Sequence, residues 1–219
     1  MKIVITLSGG ADSTLAALKI KDIYPDAEYY PVFIDYGQIC SEQEKRTAFY
    51  LARKLDLPRF HIITLDKVWT KGGMIDGESK DNDVYTPVRN LVLLSCTIAY
   101  AESIGADIVV TGSKGHSKIP SEEHSYYDST LPFAKMMESI WYYASENKRR
   151  VQVIPILAEG RKETMTKEEV YKELLQYNIL YQDTWSCFQG GQEECGECSN
   201  CMEKKRIFQK MSEEEKNAF

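Results

Sequence analysis

Ser8-Gly9-Gly10-Ala11-Asp12-Ser13-Thr14 is a run in which small residues and short polar side chains alternate without a bulky group. Two adjacent glycines permit positive φ, so backbone N–H groups can turn inward toward an anion. The apolar, Ala/Leu-rich sequence that follows reads as a helix, begun by Asp12 or Ser13 as cap. A helix start adds unpaired N–H groups and partial positive charge, and Ser8, Ser13 and Thr14 add hydroxyls. The chemistry implied is the cradling of phosphate. The spacing matches neither Gly-x-x-x-x-Gly-Lys-Ser/Thr nor Gly-x-Gly-x-x-Gly.

A second constellation lies near the other end. Cys187 is followed by Cys195, Cys198 and Cys201, four of the six cysteines in the chain. Three cysteines at successive three-residue steps plus one upstream thiolate can surround a single ion, and four sulfurs suit tetrahedral zinc. Such a closed site leaves no open coordination position, so the metal would be structural. An all-cysteine set also suits an iron–sulfur cluster. Two disulfides are a third pairing, disfavoured in a reducing compartment. Cys96 reads as core packing within an apolar helix, and Cys40 has no assigned role.

The elements that must position these groups follow from periodicity. Residues 2–6 are a β-branched run ending at the glycines; residues 28–35, 60–65, 107–111 and 151–154 read as further strands. Helical patterns fall between them: 41–56, with Ser41 and Glu44 as a capping box, an apolar buried helix over 88–104, 131–146, and 166–176, capped by Thr166 with Glu169 three residues on. A terminal basic helix closes the chain. Alternation of this kind predicts an α/β fold, a Rossmann-like parallel sheet of about five strands with helices on both faces. Ligands then sit at the carboxyl ends of the strands, where strand order reverses. That edge would collect the Gly-Gly turn, Asp35-Tyr36-Gly37-Gln38, the polar stretch 70–86 and the loop after Gly112.

The chain has 219 residues, 43% hydrophobic and 27% charged, which suits one domain over 1–219. No apolar run reaches the length of a membrane span and no leader pattern precedes the first strand, so a cytoplasmic location with no membrane partner is expected. A net charge of −6 argues against a broad nucleic-acid surface, and Lys148-Arg149-Arg150 reads as a solvated helix end.

Ser-Gly-Gly-x-Asp-Ser resembles the pyrophosphate loop (PP-loop) of the ATP pyrophosphatases. Joined in order to Asp35-Tyr36-Gly37-Gln38, Pro87-Val88-Arg89-Asn90, Thr166-Lys167 and Ser186-Cys187…Cys195-Gly196-x-Cys198-x-x-Cys201, it resembles the 7-cyano-7-deazaguanine synthase family over residues 2–208. The resemblance implies an adenine nucleotide alpha hydrolase-like fold and a zinc knuckle over about residues 185–208, one Zn2+ per chain held by Cys187, Cys195, Cys198 and Cys201. It implies a carbon–nitrogen ligase. ATP with Mg2+ adenylates 7-carboxy-7-deazaguanine, ammonia displaces AMP to give an amide, and a second adenylation expels the amide oxygen to leave the nitrile. Ser8, Gly9, Gly10, Ala11, Asp12, Ser13 and Thr14 would hold the nucleotide phosphates, with Asp12 acting directly or through magnesium. Tyr36, Gln38 and Asn90 would shape the nucleotide site; Arg89 and Lys167 would contact phosphate or carboxylate beside Asp12 and Ser13 in the chemistry. The family also implies a homodimer. The match departs over 113–130, where the family's Asp-x-Ser-Gly-Tyr-Pro-Asp-Cys-Arg segment is replaced and only Tyr127, Asp128 and then Phe133 align, loosely. That departure leaves room for a different acceptor, including a protein or nucleic acid, with Lys114, His116 and Lys118 as new contacts, and for a non-catalytic nucleotide-binding subunit.

Overall fold

The computed structural model describes residues 1–75, 86–115, 127–146, 151–160 and 164–211. Lys148-Arg149-Arg150, His116 and Lys118 lie outside the described residues. Five parallel strands, β1 (Lys2–Thr6), β2 (Glu28–Asp35), β3 (His61–Thr64), β4 (Ile108–Thr111) and β5 (Gln152–Pro155), stand in the order β3-β2-β1-β4-β5. The order reverses between β1 and β4, so the loops after those two strands diverge and leave a crevice.

Successive side chains of each strand feed two cores. Ile3, Ile5, Phe33 and Val110 pack under α1 (Ala11–Ile23), α2 (Ser41–Lys54), α5 (Lys167–Gln176) and α6 (Ser199–Lys210). Val4, Val32, Ile34, Val109 and Val153 pack under α3 (Arg89–Ser103) and α4 (Leu131–Ala144). Burial on both faces is why the central strands read as continuous apolar runs. The sheet with helices on both faces is the architecture that the sequence predicts.

Three local expectations are corrected. Helix α1 is capped by Gly10, whose backbone is extended, while Asp12 and Ser13 lie inside the first turn. Ser13 is turned back into the loop instead, donating to the Gly10 carbonyl oxygen at 3.1 Å. Ser41 and Glu44 form no capping box: Cys40 is the cap, and the Glu44 carboxylate is drawn away by the Gln38 amide at 2.9 Å. Helix α3 is buried on one side only, through Leu94, Thr97, Ile98 and Ala101, and Cys96 is half-buried on its other side. Thr166 and Glu169 do form the expected box, at 3.2 and 2.7 Å.

Candidate active site

The turn after β1 is held by packing before any ligand arrives. Gly9 has φ of +85°, and a Cβ there would lie 2.8 Å from the Glu44 carbonyl oxygen and 3.0 Å from the Ala48 amide. Only glycine fits both the dihedral and the space. From the β4 side, a Cβ on Gly112 would meet Ser13 N at 2.7 Å, so that loop lies directly on the start of α1. The first backbone bond of the helix is Thr14 N–H to Gly10 O, at 3.1 Å. The amides of Ala11, Asp12 and Ser13 therefore precede the helix ladder and are the groups able to bind an anion. Ser8 and Ser13 lie 3.1 Å apart, Oγ to Oγ, and both line the cavity. Thr14 is fully buried and its hydroxyl is committed to Gly10 O at 2.8 Å; it supports the turn from beneath.

Lys167, brought from the start of α5, places its Nζ 2.5 Å from Asp12 Oδ2. Burial pulls the Lys167 pKa down, but the Asp12 charge and hydrogen bond outweigh it and hold the ammonium above the ordinary lysine value. Asp12 Oδ1 is buried and has no hydrogen-bond partner among the described residues. A buried carboxylate oxygen so left is costly unless something cationic meets it. It fits the edge of a magnesium–phosphate group.

Beyond this pair opens a cavity of about 390 Å³. Its far wall draws on many elements: Tyr36 and Gln38 after β2, Glu44 on α2, Arg89 and Asn90 at the start of α3, Asp128 to Thr130, Phe133 on α4, and Phe188. Gln38 is buried and closes its own turn, accepting from Tyr36 N at 2.9 Å and donating to Glu44 Oε2 at 2.9 Å. Burial pushes the Tyr36 phenol up to about 12 against the pull of the Arg89 guanidinium, which also hydrogen-bonds it. Arg89 Nε reaches Asn90 Oδ1 at 3.4 Å. Val88, ahead of them, caps α3 with φ of +48°, an uncommon conformation for a β-branched residue that costs strain and turns Arg89 into the cavity wall. Of the residues quoted from the sequence, Ser8, Asp12, Ser13, Tyr36, Gln38, Arg89 and Asn90 line this cavity, while Gly9, Gly10, Ala11, Thr14 and Lys167 are not among its lining residues; Glu44 and Phe188 line it unannounced. Their only sequence signal was position: one turn into α2, and one residue past Cys187.

The four cysteines Cys187, Cys195, Cys198 and Cys201 present sulfurs that all lie within 4.8 Å of one another. All are free thiols, so the disulfide pairings fail. Cys195 and Cys201 are 3.9 Å apart, Sγ to Sγ, close to the ~3.8 Å edge of a tetrahedron with 2.3 Å metal–sulfur bonds. Backbone N–H groups of Gln189 and Cys195 approach Cys187 Sγ, and Cys198 N–H approaches Cys195 Sγ, each at 3.3 Å. The amides of Glu197 and Cys198 lower the Cys195 thiol to about 7. The set could hold a metal through its four sulfurs. It is also tied to the nucleotide loop: Trp185 N–H donates to Gly9 O at 3.0 Å, and the buried Lys204 joins Glu194 to the Thr184 carbonyl. No helix of the described residues is long and apolar enough to cross a membrane.

Comparison with known proteins bears on the whole chain. The family model described as queuosine biosynthesis protein QueC matches residues 2–212. A 7-cyano-7-deazaguanine synthase of Caldicellulosiruptor bescii is 30% identical over 223 residues, 96% of this chain and 94% of that one. One of Prochlorococcus marinus is 28% identical over 221 residues, covering 95% and 93%. Among solved structures, the U34-tRNA thiolase NcsA from Methanococcus maripaludis with its [4Fe-4S] cluster shares the fold, with a TM-score of 0.51 at 12% identity, over 100% of this chain and 67% of that chain.

Proposed function

The chain belongs to the queuosine biosynthesis protein QueC family, and from that premise we propose that it converts 7-carboxy-7-deazaguanine and ammonia to 7-cyano-7-deazaguanine at the expense of ATP. The observation that carries the reading is the pairing of Asp12 with Lys167 beside the unpaired amides of α1, at one end of a cavity large enough for an acceptor. Carboxylate and amide oxygens leave poorly; as adenylates they leave with AMP. In this reading the Ala11, Asp12 and Ser13 amides and the Ser8 and Ser13 hydroxyls bind the phosphates, and Lys167 stabilises charge on departing pyrophosphate. Asp12 would hold Mg2+ through Oδ1, and the metal would supply charge neutralisation there. Arg89, with Asn90 and Tyr36 holding it, faces the acceptor carboxylate.

The cysteine set takes zinc in this reading, as a structural ion, because four sulfurs within 4.8 Å share one ion better than the corners of a larger cluster. The chain acts as one domain in the cytoplasm and as a homodimer, for which the exposed Met136, Ile140 and Tyr143 on α4 offer apolar surface. A second reading, adenylation of a different acceptor that stops at the amide or modifies a protein or nucleic acid, is favoured by one observation: Asp128 is followed on the cavity wall by the uncharged Ser129 and Thr130. Purified protein with ATP, magnesium, ammonium and 7-carboxy-7-deazaguanine separates the two by mass spectrometry. Nitrile with AMP supports the synthase; amide alone or no product supports the second reading. Metal analysis of the same sample should find about one zinc and no iron per chain.

A further inference from the structure

One ionisable group on the cavity wall has no task in the chemistry above. Glu44 lies on the first turn of α2, and its carbonyl oxygen is the atom that a Cβ on Gly9 would strike at 2.8 Å. It therefore sits immediately behind the phosphate-binding turn. Glu44 lines the same cavity as Asp12, Ser13 and Arg89. Gln38 donates to Glu44 Oε2 at 2.9 Å, and the buried Cys40 thiol also hydrogen-bonds the carboxylate. Among the described residues it makes no ion pair; Lys45, next to it in the chain, pairs with Glu42 instead. The surroundings are largely apolar: Tyr36, Met74, Leu93 and Phe188 pack together around Cys40. A carboxylate kept in such a place, held by neutral donors and reached by the Arg89 charge without a direct ion pair among the described residues, is suited to a small cationic ligand.

The reaction proposed above needs such a ligand. At neutral pH ammonia exists mostly as ammonium, which has no lone pair and cannot attack an adenylate. Resting on that reading, we propose that Glu44 binds ammonium and accepts its proton at the adenylated acceptor. The proton passes from ammonium to a Glu44 oxygen. The freed nitrogen lone pair forms the C–N bond, the C–O bond to AMP breaks, and the second nitrogen proton leaves on the AMP phosphate. Charge balances without any further reactant. The groups facing Glu44 fit this task. Burial raises its pKa above the ordinary carboxylate value; the Gln38 and Cys40 hydrogen bonds and the Arg89 charge hold it back, and Asp35 adds to the rise. A base of that kind accepts a proton from ammonium more readily than a solvated carboxylate would.

The test compares two nucleophiles, ammonium and hydroxylamine, which is uncharged at neutral pH. Glu44→Gln in the full-length protein should lower kcat/KM for ammonium on the order of a hundredfold, while hydroxamate formation from hydroxylamine changes by less than about threefold. The KM values for ATP and the acceptor should stay put. With rates expressed per unprotonated hydroxylamine, the ammonium reaction of the unsubstituted protein should show an acid-side ionisation that the hydroxylamine reaction lacks, which tests the assignment without any variant. Equal losses with both nucleophiles, or a rise confined to the acceptor KM, would overturn the role of Glu44 while leaving the synthase reading intact. Absence of amide, nitrile and hydroxamate from the unsubstituted protein would overturn that reading and the Glu44 assignment with it.

Discussion

On the nucleotide side of the cavity the polar groups are mostly backbone amides, clamped between Gly9 against α2 and Gly112 against the start of α1. On the side where we propose that the acceptor binds they are side chains, Tyr36, Gln38, Glu44, Arg89 and Asp128, brought from after β2, from α2, from α3 and from the turn before α4. The first wall is rigid because moving one amide means moving a helix. The second is adjustable, because one substitution changes one contact. A fold that keeps the first wall and varies the second retains adenylation while changing what is adenylated.

The comparison predicts different kinds of damage. Lys167→Met removes the cationic side chain that pairs with Asp12 among the described residues and should lower the adenylation rate on the order of 10²–10³-fold, with acceptor affinity unchanged in calorimetry. Gly9→Ala forces a Cβ to 2.8 Å from a backbone oxygen at φ of +85°, so it should cost about 2–4 kcal/mol in denaturant unfolding and abolish ATP binding together with it. Arg89→Met, on the adjustable wall, should raise the acceptor KM roughly tenfold with little change in the ATP KM or in thermal stability. Equal effects of the Arg89 and Lys167 changes on both substrates would erase the distinction between the walls.

The smallest effect lies outside the cavity, where Asp183 fastens the segment before the cysteines to α2. It accepts from Tyr50 Oη, Lys54 Nζ and Leu180 N, each at 2.6 Å. Burial raises its pKa, but these hydrogen bonds and the Lys54 charge win and hold it below the ordinary aspartate value. The folded state thus binds the proton less tightly than the unfolded chain. Its contribution is complete above the unfolded value near about 4 and fades as pH falls through the lower folded value. Asp183→Asn should cost about 1–2 kcal/mol at pH 7 and progressively less as pH falls below about 4, read as the difference between two urea curves.

The same contrast explains what was legible in the sequence. The nucleotide wall is one contiguous run, so Ser8 to Ser13 announce it by type and spacing, and the four cysteines do the same for the metal set. The alternation of strands and helices carries the sheet, because both of its faces are apolar. The acceptor wall is assembled by topology. Arg89 and Asn90 were visible only through a motif, while Glu44 was read as half of a capping box because its spacing from Ser41 fits one. The tertiary partner Gln38 decides otherwise. The α1 cap was misplaced for a similar reason: Ser13 has a cap-forming side chain, but the turn needs that hydroxyl for Ser8 and Gly10.

The central claim is adenylation of an acceptor oxygen at the crevice between β1 and β4. The most direct measurement follows oxygen from 7-carboxy-7-deazaguanine labelled with 18O in its carboxylate, in the presence of ATP, magnesium and ammonium. The account predicts one 18O in each AMP released and unlabelled pyrophosphate, since the acceptor oxygen stays on the α-phosphorus when the C–O bond breaks. Label in inorganic phosphate accompanied by ADP, or AMP without label, would contradict it.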